Sequence, residues 1–140
     1  ELSISERTPT VTTAVPAWRN ARTVDPDFAR VRWGRRIEVE ATTLDRLIAR
    51  HGAPSFIKIA GEGSEPAVLR GLSRAVPALS FEYLPRAVDH ARACVERLRS
   101  LAPYQFNWSA GESYELAEAA WITGEVLLAR LSEPPAQRRE

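Results

Sequence analysis

Hydrophobic and polar positions along the chain form short alternating runs that give way repeatedly to helical periods. Leu2-Ser3-Ile4-Ser5 alternates and predicts a strand. Arg36-Ile37-Glu38-Val39-Glu40 alternates again, a second strand. Thr42 or Thr43 can then cap a helix with Asp45 in its first turn and Leu44, Leu47 and Ile48 on one face. Gly52 ends it and Pro54 bars its continuation. Phe56-Ile57-Lys58-Ile59 reads as a buried strand, and Pro66 opens a helix whose apolar face is Val68, Leu69 and Leu72. Ala78 to Tyr83 is a further strand. Arg86 to Leu101 is strongly helical, with Val88, Ala91, Val95 and Leu98 in line and Cys94 and Leu101 beside them. Tyr104-Gln105-Phe106-Asn107-Trp108 alternates with its aromatics on one side. Residues 114–122 are ambiguous and read best as strands at Tyr114–Leu116 and near Trp121-Ile122. Thr123 caps a last helix carrying Val126, Leu127 and Leu131.

Two stretches show no sustained period. Residues 6–35 hold three prolines, many threonines, Trp18 and Trp33, and read either as a lid or as a meandering surface loop pinned by its aromatics. Residues 133–140 read as a disordered tail. Elsewhere strands alternate with helices, which predicts an α/β fold with a largely parallel sheet. Ligands of such sheets lie beyond the carboxyl ends of the strands. Residues 60–65 follow one such end and Glu82 lies near another.

Composition narrows the partners. Of 140 residues, 44% are hydrophobic, enough for a core. Nineteen basic residues against 18 acidic ones leave a net charge of +1, so no electrostatic argument points to nucleic acid or an anionic membrane. The runs Arg30-Val31-Arg32, Arg35-Arg36 and Arg138-Arg139 read as solvated faces. No apolar run spans a bilayer, and Glu1-Leu2-Ser3-Ile4 lacks the pattern of a signal peptide. With no initiator Met, the chain is expected to be a piece of something longer. The lone Cys94 excludes an internal disulfide and fits a cytoplasmic setting.

Candidate chemistry gathers at Gly61-Glu62-Gly63, between a strand and a helix, where a sharp turn with unusual φ is available. The only lysine, Lys58, lies just before it. Glu62 and Glu65 oppose phosphate there, and the glycine spacing fits neither a dinucleotide fingerprint nor a P-loop. Glu62 could instead take a proton, hold a substrate hydroxyl or help to bind a divalent metal. A plainer reading is that both glutamates only favour the helix N-terminus electrostatically. His51 and His90 lack metal-ligand spacing, and Ser80 and Cys94 show no partner for nucleophilic catalysis.

Several stretches together resemble the FkbM family of S-adenosylmethionine (SAM)-dependent methyltransferases. They are Thr43–Leu47, Phe56–Glu65, Val68–Leu72 and Leu79–Tyr83, in the family's order and spacing. Pro9–Thr13 and Asn107-Trp108 look similar to some members. The resemblance implies a partial Rossmann-like class I methyltransferase fold, a mostly parallel sheet flanked by helices, with residues 1–132 as the C-terminal part of the domain. It implies SAM as cofactor and O-methyl transfer to a small hydroxylated or sugar-like acceptor. It places Glu62 and Glu82 as the remaining polar catalytic candidates, Lys58 as the residue orienting the turn, and Ala60 and Gly61 beside the cofactor.

The sequence also departs from the family. Where the family usually reads Lys-Ile-Asp-Val-Glu-Gly, this chain has Lys58-Ile59-Ala60-Gly61-Glu62-Gly63. Ala60 cannot coordinate, accept a proton or orient a hydroxyl. Losing one charge-assisted contact in a dry site is worth roughly 100-fold or more in rate. The family's Gly-rich donor-binding loop has no counterpart at Gly34 or Gly52, so the chain alone is expected to be inactive. A strand at 56–60 without that missing half would leave an edge open, and a homo-oligomer or a larger parent chain would cover it. The alternative is a non-catalytic remnant or oligomerisation module of the same fold.

Overall fold

In the computed structural model, residues 1–111 and 113–132 are described, so the segment read as a tail at 133–140 lies outside the described residues. The chain divides into two compact units, Glu1–Glu82 and Tyr83 onward.

The first unit begins with β1 (Leu2–Ile4), which pairs antiparallel with β2 (Arg35–Ile37) in the register Leu2↔Ile37, Ser3↔Arg36 and Ile4↔Arg35. The alternation at 36–40 thus becomes a ladder only where β1 faces it, and Val39 stays exposed. Ser3 also exchanges backbone hydrogen bonds with Thr13, at 2.8 and 3.1 Å, which draws the following segment back over β1.

That segment is not structureless. It contains a helix, α1 (Pro16–Thr23), flanked by two short 3-10 turns at Pro9–Val11 and Pro26–Phe28. Pro16 opens α1 where its missing N–H is harmless. The inward face of α1 is Trp18 and Arg22, one turn apart, both buried. Trp18 meets the rings of Phe28 and Trp33 edge-on at 5.6 and 6.3 Å, and Arg22 pairs with Asp25 at 3.1 Å over the Trp18 and Phe28 faces. The aromatic pinning read from the sequence is present, through a helix that the sequence reading did not anticipate.

Downstream, α2 (Leu44–His51) starts at Thr43, whose hydroxyl accepts the Arg46 N–H at 3.2 Å, and stops at Gly52, at φ 91°. β3 (Ile57–Ile59), α3 (Glu65–Arg70) and β4 (Leu79–Phe81) then form a βαβ unit with the parallel register Ile57↔Leu79, Lys58↔Ser80 and Ile59↔Phe81. Asp45 ties α2 to this unit. Its N–H donates to Gly71 O at 2.9 Å, and its carboxylate accepts the Ser73 N–H at 2.9 Å. Two of the motifs that carry the resemblance, 43–47 and 68–72, therefore meet in space. Ile59, Leu69, Leu72 and Val76 are buried here.

In the second unit, α4 (Val88–Leu101) buries Ala91, Cys94, Val95 and Leu98, as its periodicity predicts. β5 (Gln105–Phe106) pairs antiparallel with β6 (Ile122–Thr123), and α5 (Gly124–Ser132) packs on α4 through Leu127 and Leu131. Two expectations are corrected. Tyr114–Leu116 is not a strand: Tyr114 sits at φ 57° and is exposed with Leu116, so no ladder fixes it. Val126 faces outward, because the inward stripe of α5 runs through Gly124, Leu127 and Leu131.

The described strands form three two-stranded sheets, and only β3–β4 is parallel. The expected mostly parallel sheet is thus limited to that pair. Local pairings of β1 with β2 and of β5 with β6 supply the antiparallel remainder.

Candidate active-site turn

The candidate residues cluster where β3 ends. The ladder runs one residue past β4, with Glu82 N–H donating to Ile59 O at 3.2 Å, so both parallel strands deliver their carboxyl ends to one place. Lys58 and Glu82, 24 positions apart in sequence, meet there, Nζ to Oε1 at 2.9 Å. Both side chains are more than half exposed, so this ion pair contributes about 0–1 kcal/mol.

After Ile59 the backbone turns sharply. Glu62 takes φ 49° and Gly63 φ 94°, both in the left-handed region. Glycine suits that conformation and glutamate does not, so Glu62 is held there by its surroundings. Three contacts do so. The Thr13 hydroxyl, buried, donates to Glu62 O at 2.7 Å and accepts the Val15 N–H at 3.0 Å. Ser64 Oγ donates to Gly61 O at 2.8 Å. The Trp18 side chain lies so near Gly63 that a β-carbon at this position would collide with its Cδ1, Cγ and Cβ. The segment 13–18 thus clamps the turn from outside the strand–helix motif.

The residue that organises the turn is Glu65. It is buried, at 4% exposure, and its two carboxylate oxygens accept the N–H groups of Gly61 at 2.8 Å and Gly63 at 2.9 Å. This is a carboxylate closing its own backbone loop, with charge-assisted bonds on both oxygens. The amides that a phosphate would need are already occupied, which agrees with the sequence argument against a phosphate cradle. The sequence reading gave Glu65 only a general electrostatic role at the helix start. The spacing Gly61-x-Gly63-x-Glu65 was its one visible signal.

Beside the fixed Glu65 stands Glu62, whose side chain makes no such bonds to the turn. Its carboxyl is half-buried, and burial, followed by the charges of Glu65 and Glu82, pushes its pKa up from 4.5 to about 7. A carboxyl in that range exchanges protons at neutral pH and suits general acid–base work. Ala60 is exposed at the strand end, and its methyl group adds no polar atom. Gly61 sits at the mouth of the turn, its N–H turned to Glu65. No group of three or more His, Cys, Asp or Glu side chains among the described residues is arranged to hold a metal ion. No helix among them is long and apolar enough to cross a membrane.

Comparison with known proteins identifies the family. No curated protein and no solved structure matches the chain. A family model, that of the methyltransferase FkbM domain, matches residues 5–101. The match takes in Thr13, Trp18, the whole turn, both parallel strands and α4, well over half of the sequence. The chain accordingly belongs to the FkbM methyltransferase domain family.

Proposed function

We propose that the turn at 60–65 is the catalytic edge of a SAM-dependent O-methyltransferase acting on a small hydroxylated or sugar-like acceptor, on a Rossmann-like class I scaffold. The observation that carries this reading is Glu62, standing at the joint carboxyl end of two parallel strands with a pKa of about 7. Family membership implies use of SAM. The chemistry of the turn fits such a donor in part: Glu62 and Glu82 are acceptors suited to a cationic sulfonium neighbour or to hydroxyl groups, and no open amide cradle competes for an anion. Glu62 and Glu82, with Gly61 at the mouth, would border it.

When bound, the donor supplies an electrophilic methyl group. Glu62, as carboxylate, accepts the proton of the acceptor hydroxyl as its oxygen becomes nucleophilic. Glu82, oriented by Lys58, accepts a hydrogen bond from a second hydroxyl and so positions the acceptor. Glu65 and the clamp from Thr13 and Trp18 hold Glu62 still during proton transfer. The open edge of β3, which has β4 as its only strand neighbour among the described residues, supports pairing with a strand from a second copy or from a longer parent chain.

A second reading is favoured by Ala60, which puts a methyl group at the strand end where the family usually carries Asp: a non-catalytic module that keeps the fold and its interface. Transfer of an isotopically labelled methyl group from SAM to a panel of polyols and sugars separates the two. Turnover that rises in Ala60→Asp and disappears in Glu62→Gln supports the enzyme. No turnover in either the unsubstituted protein or Ala60→Asp, each supplied with the donor-binding half of the fold, supports the second reading.

A further inference from the structure

A second polar feature of the first unit shares no residue with the turn. Beyond β1 a cleft of about 450 Å³ opens, lined by Glu6, Arg7, Ala29, Arg30, Arg32 and Gly34. Three arginines and one glutamate line it, so the cleft is positive in a chain that is almost neutral overall. Its volume suits one small molecule.

The wall carrying Arg30 and Arg32 is firmly built. The Asp25 carboxylate accepts the Asp27 N–H at 3.2 Å, and consecutive turn bonds follow from Phe28 to Asp25, from Ala29 to Pro26 and from Val31 to Phe28, at 2.9–3.1 Å. Phe28 is anchored edge-on against the buried Trp18. Arg32 Nη1 donates to both Ala29 O and Val31 O at 2.8 Å. Those bonds tether the guanidinium by one corner and leave its Nε–Nη2 edge with no protein partner among the described residues. Arg7 and Arg30 likewise make no hydrogen bond or ion pair with described residues. A tethered guanidinium with a free fork edge is preorganised for a planar or tetrahedral oxyanion, and two further positive charges raise the local attraction for one.

We propose that this cleft binds a small molecule through a phosphoryl or carboxylate group, gripped by the free edge of Arg32 and flanked by Arg7 and Arg30. Glu6, on the same lining, accepts a hydrogen bond from a hydroxyl elsewhere on that molecule and disfavours ligands with a second anionic group. The arginines read from sequence as a solvated face thus acquire a task independent of the methyl-transfer reading.

The test is titration of the isotopically labelled protein with inorganic phosphate and, separately, with acetate, at constant ionic strength, following backbone amides by NMR. The expected result is saturable shifts at residues 30–34 with at least one of the two anions; the anion that binds more tightly identifies the recognised group. Arg32→Lys keeps the charge but removes the fork and should weaken that binding about tenfold. Arg7→Gln, also on the cleft lining, should weaken it as well, while Arg74→Gln, an exposed arginine outside the cleft, should leave it unchanged. Shifts that never saturate with either anion, or equal weakening in Arg74→Gln and Arg32→Lys, overturn the proposal. Neither result bears on Glu62 or on methyl transfer.

Discussion

Replacing Glu65 with Gln is the most informative single perturbation of the turn. The native carboxylate accepts two backbone N–H groups, from Gly61 and Gly63, in a site only 4% exposed. An amide is nearly isosteric but has one acceptor oxygen, so one of the two N–H groups then faces an NH2 donor and is left unsatisfied. A buried hydrogen bond to a charged group is worth about 1.5–3 kcal/mol, and a stranded donor costs about as much again as a neutral bond. The opposing penalty is smaller, since the charge itself no longer needs burying. The net expectation is a loss of about 2–3 kcal/mol. Urea unfolding followed by tryptophan fluorescence reads this directly; with a slope of roughly 1–2 kcal/mol per molar, the midpoint falls by roughly 1–3 M. A second readout is local. The Glu65 charge is one cause of the raised Glu62 pKa, so the Glu62 carboxyl, followed by carbon NMR, should titrate below about 7 in the variant. An unchanged midpoint together with an unchanged Glu62 titration would refute the argument that Glu65 organises the turn.

Three further outcomes follow from the same geometry. Gly63→Ala must place a β-carbon at φ 94° and against the Trp18 indole, and should lower stability by at least about 2 kcal/mol in thermal or urea unfolding. Thr13→Val removes the hydroxyl that bonds Glu62 O and the Val15 N–H, for an expected loss of about 1–2 kcal/mol, whereas Thr13→Ser should retain most of the stability. Stability should also depend on pH through Glu62. Its folded carboxyl keeps a proton up to about pH 7, while the unfolded one releases it near 4.5, so the folded state binds more protons between those values. The contribution of this group to stability is therefore full below pH 4.5 and is lost as pH rises through 7. Solvent screening of a half-buried side chain limits the change to about 1 kcal/mol. Glu62→Gln should flatten that slope, which unfolding at pH 5 and pH 8 measures.

The elements legible in the sequence are those whose stability is local or whose apolar stripe is complete. The helix at Arg86–Leu101 has four buried positions in register, and the helix after Thr43 carries its own cap and stop, so both could be read directly. The parallel strands were marked by Ile57 and Ile59 and by the alternating segment Ala78–Tyr83. Helix α1 was hidden because its inward face is one tryptophan and one arginine, a pairing that hydrophobic periodicity does not register. Tyr114–Leu116 alternates without a partner strand, so its pattern had nothing to pair with. At the site, Lys58, Glu62 and Glu82 were identifiable as candidates, and the structure brings Lys58 to Glu82. The part that could not be read is long-range: the bond from Thr13 to Glu62 O and the close approach of Trp18 to Gly63 span 49 and 45 positions of sequence. Glu65 looked like a helix-start charge because its folding back onto two amides depends on the left-handed turn at Glu62 and Gly63.

The central claim is that the turn at 60–65 faces a methyl donor. Titrating the isotopically labelled protein with SAM while following the amides of Ala60, Gly61, Glu62 and Gly63 by NMR tests it most directly. The account predicts saturable shifts concentrated at those four positions and at Glu82, weakened in Glu62→Gln. Shifts absent from the turn at millimolar donor, in both the parent protein and Ala60→Asp, would contradict it.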